Sequence, residues 1–195
     1  MTERQPQVLD LEKIIRSRAG SKAKYIPQFL INWFKRLAHQ DYINEYLKEG
    51  YVGVDFCENC LKYLGVEIEV RGLENLPEDG RVYTFASNHP LGAIDGVTLG
   101  AIIGRQYDGK VKYLLNDLLM NLKGMAPLGI PVNKIGGQAR NLPRLIDEAF
   151  HSDNHMLVFP AGLCSRKIDG KIQDLPWGKA FISKSRQTGR DIIPI

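Results

Sequence analysis

RVYTFASNHPLGAIDG, residues Arg81 to Gly96, decides how the rest of the chain is read. Its first half is rich in β-branched and aromatic residues, as a strand is. Pro90 and Gly92 then punctuate it, and the helix-like IDGVTLGAIIGRQ follows. A strand that stops at a turn and passes into a helix is the repeating unit of an α/β sheet, and ligands in such sheets sit on loops at strand ends. His89 and Asp95 both lie in this turn, with five residues between them. On a regular helix their side chains would stand about 240° apart and could not touch. A turn can instead fold the carboxylate back onto the imidazole, fixing its tautomer and leaving the other ring nitrogen free to accept a proton. The competing reading makes Asp95 a helix cap and leaves His89 as a strand end. The pair alone does not choose between them.

Working outward, strand and helix patterns alternate after residue 65. VEIEV (66–70) alternates as an edge or half-buried strand does, KVKYLLN (110–116) is strand-like, and DLLMNLKG (117–124) is helix-like. LGIPVNK reads as a strand, then a Gly136-Gly137 turn, then the helix ARNLPRLIDEAFHS. HMLVFPA is a buried strand, WGKAFISKSRQTG a helix and RDIIPI a last strand. This predicts an α/β fold: one domain with a mixed, largely parallel β-sheet flanked by helices. The chain stops on DIIPI without a polar tail, so the domain is expected to be cut short there.

Before residue 65 the period is helical. VLDLEKIIRSR places Val8, Leu11, Ile14 and Ile15 on one face, and DYINEYLKEG has a cap in Asp41 and a stop in Gly50. YIPQFLINWFKRLAHQ carries Phe29, Leu30, Trp33, Phe34 and Leu37 on one side, with Pro27 at its first turn. That face has two readings: packed on the core, or lying in a membrane interface with Lys22, Lys24, Lys35 and Arg36 on anionic head groups. In YVGVDFCENCLKYLG, Cys57, Cys60, Leu61 and Leu64 share a helical face, which favours core packing over a metal or redox pair. His39, His151 and His155 fall near element ends and are expected at the surface.

The 195 residues are 44% hydrophobic with a net charge of +4, enough for one sizeable core. The mild basic balance suits an anionic partner such as a membrane surface, an acidic carrier protein or a phosphorylated ligand. It is too weak for nucleic acid, and no RNA- or DNA-binding pattern accompanies it. Three cysteines argue against a disulfide scaffold, no signal peptide is visible, and no apolar run reaches the ~18 residues of a membrane span. These features predict a cytoplasmic protein.

Two more segments carry basic residues at strand ends. GIPVNKIGGQAR sets Lys134 and Arg140 around two glycines before a helix, which suits an anion. FPAGLCSRK ends a strand in Pro160 and Gly162, then presents Ser165 and Arg166. Taken in order, N-H-…-D, G-x-x-x-N-K, F-P-x-G-x-x-S-R and I-P-I resemble the glycerolipid acyltransferase family, from Val82 to Ile195.

The helical periods make residues 1–65 an N-terminal helical region, membrane-interfacial in one reading, and the resemblance implies that residues 66–195 are an acyltransferase α/β domain. It implies that His89 is the general base toward an acceptor hydroxyl, with Asp95 orienting it. Lys134, Arg140, Gly162, Ser165 and Arg166 would face the acceptor, and Ile193, Pro194 and Ile195 would shape the acyl-donor site. No metal or cofactor is implied. The acyl donor would be a thioester on acyl carrier protein or coenzyme A, and the enzyme would lie peripherally on the inner face of the cell membrane. Two departures stand out. The family usually has four residues between His and Asp, and its F-P-E-G is FPAG here, with Ala161 replacing the glutamate. HPLGAIDG is similar to a bacterial subgroup, H-P-L-G-x-x-D-G, whose members O-acylate lyso forms of amino-acid lipids. The rival expectations are a thioesterase or hydrolase using the same pair on water, and a non-catalytic lipid-binding homologue.

Overall fold

The computed structural model describes residues 4–116, 121–132 and 141–195. Four helices lead: α1 (Leu11–Ala19), α2 (Gln28–Leu37), α3 (Gln40–Lys48) and α4 (Val54–Tyr63). They are followed by β1 (Thr84–Ala86), α5 (Ala93–Gln106), β2 (Val111–Asn116), β3 (Gly129–Val132), α6 (Leu142–Phe150) and β4 (His155–Val158). A hairpin of β5 (Arg166–Ile168) and β6 (Lys171–Gln173) then leads to α7 (Ala180–Gln187) and β7 (Ile192–Pro194).

Five strands form one sheet in the order β3-β2-β4-β1-β7, and every recorded pairing in it is parallel. The antiparallel β5–β6 ladder stands apart from it. Parallel strands need crossovers, and crossover helices cover both faces, which is why HMLV in β4 is buried at every position. Alternate side chains sort between two cores. Phe85, Val111, Tyr113 and Leu157 meet the side built from α1, α3, α4 and α5. Ala86, Met156 and Val158 meet the side carrying Leu145 and Ile146 of α6 and Phe181 of α7. Thr84 also points that way, and its Oγ1 accepts from the buried Ser185 hydroxyl at 2.8 Å. Phe85 and Leu157 are fully enclosed, each such side chain contributing about 1.5–3 kcal/mol.

The helical region is fastened from within. Asn44 accepts from the Leu9 N–H (2.7 Å) and donates to the Leu9 carbonyl (3.0 Å), and Gln40 accepts from the Leu11 N–H. These buried amides satisfy backbone groups at the start of α1, one of the needs a helix terminus creates. Cys57 lies fully in the core with Leu61, and burial pushes its thiol up to about 12, so it stays protonated. α2 behaves otherwise. Only Ile31 is buried in it, while Phe29 is 69% and Trp33 60% exposed, with Leu30, Phe34 and Leu37 also open.

Some expectations change. VEIEV forms no strand: α4 closes with the Val66 N–H on the Leu61 carbonyl, and residues 67–70 are exposed beyond it. Alternation marks faces but cannot supply a neighbouring strand. Of DLLMNLKG, residues 117–120 lie outside the described residues, and Lys123–Met125 is a 3₁₀ turn. His39, not Asp41, is the N-cap of α3, because α2 runs into α3 through a left-handed residue there. His155 is only 4% exposed, against the expected surface position. Its Nδ1 accepts the Tyr83 N–H at 3.2 Å, its ring lies among Tyr83, Phe85 and Tyr107, and burial, then Arg190, holds its pKa down to about 4.

Candidate active site

β1 and β4 are neighbours in the same direction, with Ala86 opposite Val158, so both strands end together. The Ser87 N–H on the Val158 carbonyl (3.0 Å) carries the pairing one residue further. Two residues on, His89 leaves the sheet. Its Nδ1 stands 3.0 Å from Asp95 Oδ2, and the two side chains are 19% and 11% exposed. Asp95 is in the first turn of α5, and the same Oδ2 accepts the Leu91 N–H at 2.8 Å. The carboxylate therefore both ties the chain entering the helix and holds the imidazole; the N-cap of α5 is Gly92 and not Asp95, so the capping reading of the turn gives way to the paired one.

The fifth intervening residue fits because Gly92, the N-cap of α5, adopts φ +71°. That backbone is costly for a residue with a Cβ, and a Cβ there would stand 3.2 Å from the Cys164 sulfur. Across the imidazole, Phe159 stacks at 4.2 Å between ring centres with 25° between planes. One face of the ring is thus packed and one nitrogen committed to an acid. With Nδ1–H donated to an ionised Asp95, Nε2 keeps a lone pair able to take a proton.

A second carboxylate closes the site. Asp174 follows β6, and its Oδ1 accepts the His89 backbone N–H at 3.4 Å and the Ser165 hydroxyl. Its Oδ2 accepts the Trp177 indole N–H at 2.9 Å. The Ser165 N–H donates to the His89 carbonyl at 2.8 Å. The Ser165 hydroxyl, then the Trp177 and His89 N–H groups, hold the Asp174 carboxyl below the usual carboxylate range.

The family model described as "Acyltransferase" matches residues 13–195, a span that includes most of the N-terminal helices. A lyso-glycine lipid O-acyltransferase of Phocaeicola vulgatus is 52% identical, over all of this chain and 70% of that protein. One of the same description from Bacteroides thetaiotaomicron is also 52% identical, over all of this chain and 72% of that protein. This chain belongs to the glycerolipid O-acyltransferase family. It is an acyltransferase of the class that transfers groups other than aminoacyl groups, as the resemblance implies. Among solved structures, the 1-acyl-sn-glycerophosphate acyltransferase PlsC from Thermotoga maritima aligns with a TM-score of 0.49 and 20% identity, over 72% of this chain and 54% of that one.

Other residues singled out in the acyltransferase sequence fall around the same strand ends. Gly162 closes a turn with its N–H on the Phe159 carbonyl, and a Cβ on it would meet open space. Ser165 is committed to Asp174, and Arg166 opens the hairpin, exposed. Ile193 is half-buried against the core, while Pro194 and Ile195 run exposed beside β1. The Ile195 N–H donates to the Ala86 carbonyl at 3.0 Å, three residues before His89. Lys134 and Arg140 lie outside the described residues.

Asp174, Trp177 and Phe159 were not anticipated as site residues. The signal for the first two is in the sequence: I-D-G-K-I is a two-residue hairpin pattern, with Asp169 and Gly170 both at positive φ. Such a hairpin returns the chain to its base, so the residue before β5 and the residue after β6, Ser165 and Asp174, must meet.

Proposed function

We propose that this acyltransferase moves a fatty acyl chain from a thioester onto the hydroxyl of a lyso-lipid of the glycine-lipid type. His89 Nε2 takes the acceptor hydroxyl proton, the freed oxygen attacks the thioester carbon, the C–S bond breaks, and the proton passes on to the departing thiolate. Asp95 holds the imidazole in the tautomer that this requires. The observation that carries the reading is the 3.0 Å His89–Asp95 contact at adjoining strand ends. The acceptor class is supported by the relatives at 52% identity. A net charge of +4 suits an anionic donor, a need that acidic acyl carrier protein and phosphate-bearing coenzyme A both meet.

The acceptor requires access to a bilayer. Among the described residues no helix is long and apolar enough to cross one. The exposed apolar face of α2, with Lys22, Lys24, Lys35 and Arg36 near it, supports peripheral attachment to the inner face of the cell membrane. Incubation with acyl-carrier protein or acyl-coenzyme A and a panel of lyso-lipids, read by mass spectrometry, tests both substrates. Acylated lyso-glycine lipid that disappears with His89→Ala is the expected product. Acylation that survives His89→Ala, or no acylated product from any acceptor, would refute the proposal.

A further inference from the structure

We infer that Asp174 is a positioning residue for His89, holding the catalytic turn through its backbone; this rests on His89 being the base. The Asp95 contact orients the imidazole about its own bonds, but it leaves the peptide that carries the ring to be fixed by something else. The turn after β1 is irregular, so no sheet ladder holds the His89 N–H or carbonyl. Both are instead taken by the base of the β5–β6 hairpin. The N–H goes to Asp174 Oδ1, and the carbonyl accepts the Ser165 N–H.

Asp174 is well suited to this. One oxygen accepts from both the His89 N–H and the Ser165 hydroxyl, the other from Trp177, so three separate segments meet on a single carboxylate. Its charge is retained because those donors favour the ionised form. The arrangement gives the hairpin a role in an acyltransferase site that its exposed strands alone would not suggest.

The test compares Asp174→Ala, Ser165→Ala and Asp174→Asn/Trp177→Phe with His89→Ala, using purified protein, acyl thioester and lyso-glycine lipid. Loss of the carboxylate is expected to lower kcat by about 10- to 100-fold with KM for both substrates nearly unchanged, because the ring is displaced and not the substrate. Ser165→Ala loses less, and adding it to Asp174→Ala costs nothing more, since both act through the same oxygen. The asparagine double variant regains most of kcat. Its carbonyl accepts from His89 and Ser165, and phenylalanine removes the N–H that would oppose its amide N–H group. In ¹⁵N spectra the His89 ring shows one tautomer in the wild type and an averaged pattern in Asp174→Ala. Should Asp174→Ala fail to fold, Ser165→Ala and the double variant carry the test. Wild-type kcat in folded Asp174→Ala or, where that variant does not fold, in Ser165→Ala, with His89→Ala inactive, overturns the positioning role alone. Activity in His89→Ala overturns the underlying reading of the site instead.

Discussion

Acid should destabilise this protein through one buried histidine at the start of β4, His155. His155 begins β4, is 4% exposed, and uses Nδ1 to accept the Tyr83 N–H, so the folded state holds it neutral. Burial and the nearby Arg190, then Lys110, lower its pKa from 6.5 to about 4. Arg190 cannot retreat: it donates to the carbonyls of Phe150, Ser152 and Asn154. A depressed histidine pKa means that the unfolded chain binds the extra proton first. Stability from this group is complete above pH 6.5 and drains away as pH falls toward 4. Linkage gives about 2 kcal/mol lost between pH 7.5 and pH 5, and about 3 kcal/mol by pH 4. For a chain of this size the first figure corresponds to roughly 4–8 °C in Tm.

The assay is urea unfolding of the wild type and His155→Asn at pH 7.5 and 5.0. Asparagine places an acceptor near the position of Nδ1 but does not titrate. The variant is less stable at pH 7.5, having lost ring contacts with Tyr83, Phe85 and Tyr107. Its extra sensitivity to acid should be absent, so the difference between the two proteins narrows by about 2 kcal/mol at pH 5. Parallel loss of stability in both proteins would refute the argument.

Asp95→Asn should reduce kcat by about 10²- to 10⁴-fold in the acyl-transfer assay, since the amide no longer enforces the imidazole tautomer. Gly92→Ala should cost about 1–3 kcal/mol in urea unfolding, from a backbone at positive φ and a Cβ set against Cys164, and should lower activity with it. Replacing Trp33 and Phe34 with serine should abolish flotation with anionic vesicles while shifting stability by no more than about 0.5 kcal/mol for each exposed site. Full vesicle binding in that variant would remove α2 from the membrane reading.

How far the molecule could be read in advance depended on whether the signal was local. Helices were legible because their apolar faces repeat within a few residues: Leu11, Leu47 and Leu61 are buried in helices that periodicity marks out, whereas in α2 the repeating face is exposed and Ile31, outside it, is the buried residue. Strands were legible where both faces are covered, as in HMLV of β4. VEIEV failed because pairing depends on a neighbour elsewhere in the chain, and among the described residues no strand pairs with it. His155 was misplaced for a related reason. A histidine at a strand start looks solvent-facing until the aromatic residues from β1 and α5 close over it. At the site, the His89–Asp95 contact could be suspected from residues six apart in one turn, whereas Asp174 comes from 85 residues away and is brought there by the hairpin.

The sheet order also has a consequence for synthesis. β1, which ends three residues before His89, pairs only with strands made later: β4 on one side and β7 on the other. At about 5–20 residues per second, the ribosome takes several seconds to reach His155 and longer to reach Ile192. Throughout that interval Thr84–Ala86, buried at all three positions in the finished protein, is a bare apolar edge without partners. The turn that carries His89 and Asp95 therefore sits on the strand that waits longest for both neighbours. Conditions that slow elongation or deplete chaperones should trap this chain through the segment leading to its active site, before the site exists.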